Sequence, residues 1–190
     1  MENLPNITEN LALNFCNSKL HRNGKIIELI HSIEDLSRWS EIPLDNQDEY
    51  NRQLSIFHSF VEEIDSIDEL LTFRNELHEQ LKQCALDSHE LAKLIELIES
   101  YLSNQPFRII FVENWEPLLV PINMGIEGIK TLMYQSLMDL LKSKELYKLS
   151  CCANHNCPLI FINHSGRRKW CSMKICGNRN KVERYLKKNE

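Results

Sequence analysis

Long apolar runs are missing from this chain of 190 residues, and no stretch reaches the roughly 18 consecutive apolar residues of a membrane-spanning helix. Residues 1–9 have neither the basic cluster nor the apolar run of a secretory leader, so the expectation is a cytoplasmic protein without a membrane anchor. Glycine is scarce, and Gly125 with Gly128 forms neither a phosphate-cradling loop nor a dinucleotide fingerprint. His78–Glu79 and His89–Glu90 each begin like a zinc-protease motif. Lys82 and Lys93 stand where the second histidine would have to be, so neither pair holds a catalytic metal in that way. No serine nucleophile elbow occurs, and there is no internal repeat or flexible linker. These absences point away from an enzyme.

Apolar residues make up 43% of the chain and charged residues 26%, the composition of a globular protein. Charge is unevenly placed. Residues 151–190 hold nine Lys or Arg against two Glu, a net of +7, so the first 150 residues carry −12 of the total of −5. Such asymmetry describes an acidic body with a basic appendage suited to polyanions. The predicted fold class is α+β: a mainly α-helical body with a small β-hairpin, then a four-cysteine finger followed by a basic helix. Tyr50, Leu54, Phe57, Val61 and Ile64 share one helical face, as do Leu70, Phe73, Leu77 and Leu81. Leu91, Leu94, Ile95 and Ile98 mark a third helix, and Ile129, Leu132, Met133, Leu137 and Leu140 a long fourth one from about Gly125 to Leu146. Phe107–Val112 and Pro117–Ile122 read as the hairpin. Ser32 with Asp35 resembles a capping box ahead of a short helix that Pro43 ends. Leu11–Cys16 is open between strand and helix, because six residues are too few for a period.

Five of the seven cysteines lie between Cys151 and Cys176. Four residues separate Cys152 from Cys157, thirteen separate Cys157 from Cys171, and four separate Cys171 from Cys176. Two local thiol pairs joined by a longer segment suit one tetrahedral zinc ion, and a closed shell of four thiolates leaves no open position for a substrate. The metal is therefore structural. Cys152 is preferred to its neighbour Cys151 because it equalises the gaps, with Cys151, His155 and His164 as alternative ligands. Arg167, Arg168, Lys169 and Trp170 run into Cys171. Beyond Cys176, a helix starting near Gly177 and Asn178 would turn Arg179, Lys181, Arg184 and Lys187 outward. The predicted DNA-binding set is Arg167, Arg168, Lys169, Asn178, Arg179, Lys181, Arg184 and Lys187, chiefly as phosphate contacts.

The run from Cys152 through Trp170, Cys171, Ser172 and Met173 to Cys176, Gly177, Asn178, Arg179 and Lys181 resembles the CGNR zinc finger. Leu11, Ala12, Leu13, Asn14, Phe15 and Asn17, with Leu36 and Trp39, are similar to the start of the ABATE domain that commonly precedes this finger in bacterial proteins, and the middle is matched by its helical pattern and Arg74. The resemblance implies an ABATE-like regulatory domain over 1–148 and a CGNR-type finger over 149–190. It implies a stress-responsive transcriptional regulator that binds DNA. Asn163 and Asn14 stand where the family pattern carries aspartate. Asn14, Asn17, Trp39 and Arg74 are the candidates for a ligand pocket, which would serve an unidentified small-molecule effector, and a homodimer fits regulators of this kind. The alternative is a zinc-stabilised protein–protein interaction module that does not bind DNA.

Overall fold

The computed structural model of the protein describes residues 5–22, 24–178 and 181. The chain opens with helix α1 (Leu11–Cys16), all six residues of which are buried. Asn10 settles the open choice between strand and helix, because its side-chain oxygen accepts from Leu13 N at 3.1 Å and so satisfies a free amide of the first turn. A hairpin of β1 (Lys19–Arg22) and β2 (Lys25–Glu28) follows, unanticipated from the sequence. Helix α2 (Ile33–Ser40) is capped by Ser32, and Asp35 reaches back to His31 N at 3.0 Å.

Three longer helices come next: α3 (Asp48–Val61), α4 (Asp68–Leu86) and α5 (Glu90–Leu102). The antiparallel hairpin of β3 (Phe107–Phe111) and β4 (Pro117–Pro121) leads into α6 (Gly125–Lys142). Helix α6 ends short of the expected Leu146 because Lys144 adopts φ +61°, and Glu145 N then closes the turn on Leu140 O at 2.8 Å. A last hairpin pairs β5 (Leu149–Cys151) with β6 (Ile160–Ile162). The described residues thus form a helical protein with three separate two-stranded antiparallel sheets, the predicted α+β class. No helix among them is long and apolar enough to cross a membrane.

Helix α6 lies at the centre, against α1, α3, α4 and α5. Around it Trp39 meets Phe57 edge-on at 5.1 Å between ring centroids, and Phe15 lies 5.8 Å from Trp39. Gly128 lets α6 approach α3 closely, since a Cβ there would overlap Asn123 O and sit 2.9 Å from the Phe60 ring. The last hairpin joins the same core. Leu149, Ile160 and Ile162 belong to the apolar cluster built by the helices. Behind it a smaller cluster gathers Leu20, Leu159 and Phe161 around Cys152, Cys171 and Cys176.

Candidate metal centre

Each thiol pair is set on a tight backbone turn. Cys152 follows β5, and its amide donates to Leu159 O at 3.3 Å, extending the β5–β6 ladder to the start of the knuckle. Cys157 N donates to Asn154 O at 2.8 Å, which folds residues 153–156 into a loop. The second pair is organised by Ser172. Its hydroxyl accepts from Ile175 N at 3.1 Å, and its carbonyl accepts from Cys176 N at 3.1 Å and Gly177 N at 3.0 Å. The wide turn Met173–Gly177 follows from that double use of one carbonyl. Ala153 N donates to Lys169 O at 2.8 Å and ties the two halves together.

The donor sulfurs of Cys152, Cys157, Cys171 and Cys176 all lie within 4.8 Å of one another, and Cys157 Sγ is 3.7 Å from Cys171 Sγ. A tetrahedral Zn²⁺ with bonds of about 2.3 Å places its sulfurs about 3.8 Å apart, so the set fits. The electrostatics agree. Hydrogen bonds from Cys157 and then Cys171 hold the Cys152 thiol down at about 2. Hydrogen bonding to Cys152 pushes Cys157 and Cys171 up, and burial pushes up Cys176. Sulfurs this crowded compete for protons, and a divalent cation takes the place of those protons. Around the sulfurs, Cys171 N points at Cys152 Sγ at 3.4 Å and Asn154 Nδ2 at Cys176 Sγ at 4.0 Å. Such donors orient thiolate ligands.

Cys151, the alternative ligand, lies on β5 outside the cluster. His155 is exposed, and His164 pairs instead with Glu145 at 3.2 Å. Cys16 and Cys84 are away from the metal. Burial raises the Cys16 thiol to about 12, which makes it an inert core residue.

The cationic residues divide. Arg167, Lys169, Lys174 and Lys181 are exposed, as is Asn178. Arg168, exposed as well, folds back onto the finger: its guanidinium lies 4.4 Å over the Phe161 ring and donates to Trp170 O at 2.9 Å and to Cys171 O. It braces the segment entering Cys171, a role that its position in a basic run does not reveal. Arg179, Arg184 and Lys187 lie outside the described residues.

The four pocket candidates are taken up by the fold. Asn17 is fully buried and pairs with the backbone of Ile160 in both directions, donating to its carbonyl at 2.8 Å and accepting from its amide at 2.9 Å. It acts as one residue of a strand edge and holds β6 to the body. Arg74 is buried with its guanidinium on Glu28 at 2.6 Å and Ser18 at 2.9 Å, which anchors the β1–β2 hairpin to α4. Trp39 is a core residue whose Nε1 donates to Asn6 at 3.2 Å. Asn14 accepts from Thr8 N and donates to Thr8 O at 2.8 Å. Asn163 likewise accepts from Arg168 N and donates to Arg168 O at 3.0 Å. An aspartate at either position would lack the donor. His78 adds a link that was not foreseen, with Nε2 on Pro158 O at 2.7 Å beside the first knuckle. A cleft of about 390 Å³ opens elsewhere, between Tyr50 and Gln53 on α3, Asp139 on α6, and His164 of the finger, and none of the four candidates lines it.

A search of curated proteins finds no match for the chain. Residues 148–189 match the family model of the CGNR zinc finger, and the four cysteines of that segment close on one structural zinc ion.

Proposed function

We propose that the protein is a non-catalytic, DNA-binding transcriptional regulator whose zinc ion fixes the shape of a basic C-terminal segment. The observation that carries this reading is the combination of a closed thiolate site with a net of +7 over residues 151–190. A four-sulfur shell offers no position for substrate, so the module presents a surface rather than a reaction centre. On that surface Arg167, Lys169, Lys174 and Lys181 are exposed, and clustered cations of this kind release counterions from a phosphate backbone. Asn178, also exposed, is the nearest candidate for a base edge. The helical body, with its ABATE-like opening residues, serves as the regulatory half of a stress-responsive factor.

The test is fluorescence polarisation of the zinc-loaded protein on labelled duplex DNA over a salt series. Binding whose logarithm falls linearly with the logarithm of salt, and whose slope is reduced by about one unit in Lys169→Ala, supports the proposal. Absence of binding at low salt with zinc present would overturn it.

A further inference from the structure

Among the described residues, nothing covers the outer face of the β3–β4 hairpin. The register sets Arg108 opposite Val120 and Ile110 opposite Leu118. On that face Val120 is in the core and Leu118 packs beside it, while Arg108 and Ile110, toward the free edge, are exposed. The alternate residues turn outward. Ile109 is 62% exposed, Phe111 63% and Leu119 44%. At the turn Trp115 is 84% exposed and held at φ +61°. A left-handed backbone disfavours a bulky side chain, and strain of that kind collects at functional positions.

We propose that this face is the contact between two copies of the chain, packed outer face on outer face about a two-fold axis. These four side chains present on the order of 600 Å² of apolar surface, so mutual burial removes about 1,200 Å² from water, the lower end of what a stable interface needs. A two-fold contact requires one patch to complement itself, which a strip without titratable groups does. Glu113, exposed two residues before the indole, opposes anionic lipid and nucleic-acid phosphate, while Glu116 is paired with Arg52 at 3.4 Å. The contact stands apart from the DNA reading, because it involves none of the finger's cations.

Sedimentation of the full-length, zinc-loaded protein without DNA tests it. The expected result is a reversible monomer–dimer equilibrium in the micromolar range. Ile109→Glu with Phe111→Glu should weaken it at least about tenfold while zinc content and far-UV circular dichroism stay unchanged. Should that pair disturb folding, Trp115→Gly suits the left-handed turn and should still weaken association. A wild type that stays monomeric up to its solubility limit would overturn the proposal. So would dimers unaffected by Trp115→Gly, or a monomer that partitions onto anionic vesicles through this face.

Discussion

The helical body and the cysteine module solve the same problem with different materials. In the body, Trp39, Phe57, Phe15 and the aliphatic faces of α3 to α6 surround one continuous core, and removal of apolar surface from water supplies the stability. The cysteine module has only Leu159, Phe161 and Leu20 beside its sulfurs, and forty residues bury too little apolar area to fold on that basis alone. It relies on a metal and on buried polar links to its neighbour. The lesson is that the module's independence is limited in a definite way: its sulfurs need zinc, whereas its β-hairpin needs the body.

The sharpest way to break this comparison is to remove a ligand. Cys171→Ser should abolish stoichiometric zinc, on the order of 10 kcal/mol of binding free energy, as metal analysis would show. Far-UV circular dichroism should retain the helical signal, because Trp39 and Phe57 do not depend on the metal. Collapse of the helices would make the two regions one cooperative unit. The converse experiment attacks the body. Trp39→Ala should cost about 3–5 kcal/mol in denaturant titration, with zinc released only as the whole chain unfolds.

A smaller effect addresses the joint itself. Asn17→Ala leaves the buried amide and carbonyl of Ile160 without partners and should cost about 2–3 kcal/mol. It should also speed zinc transfer to a chelator, since β6 then loses its hold on α1. Unchanged stability and unchanged transfer rate would show that the apolar contacts of Ile160 and Ile162 suffice.

The smallest effect is in pH. Burial holds the His78 imidazole below its usual range against the opposing bond to Pro158 O. The unfolded chain takes up a proton at this position as pH falls through about 6.5, and folded-state stability falls with it down to the lowered folded value. Above that window the contribution is constant. His78→Gln keeps a donor for Pro158 O and should flatten this part of the stability profile relative to wild type, measured at saturating zinc.

Much of the molecule was legible where a local rule operates. The helical faces from Tyr50 to Leu140 follow from spacing alone, and the paired gaps of the cysteines identify the metal site because a tetrahedron of sulfurs demands it. What a local rule does not supply is the partner of a buried or folded-back polar group, often distant in sequence. Asn17 and Ile160 are 143 residues apart, and nothing near either one signals the pairing. Arg74 enters as a pocket candidate through the family resemblance, whereas its charge is met by Glu28 across a hairpin that Lys19–Glu28 does not announce. Arg168 reads as one more cation, although stacking on Phe161 commits it to the fold.

X-ray absorption at the zinc edge tests the central claim most directly. A single shell of four sulfur atoms at about 2.3 Å, with one zinc per chain, is the predicted result. Nitrogen or oxygen in that shell, or a reduced protein that keeps its cysteine module folded after the zinc has been stripped, would contradict it.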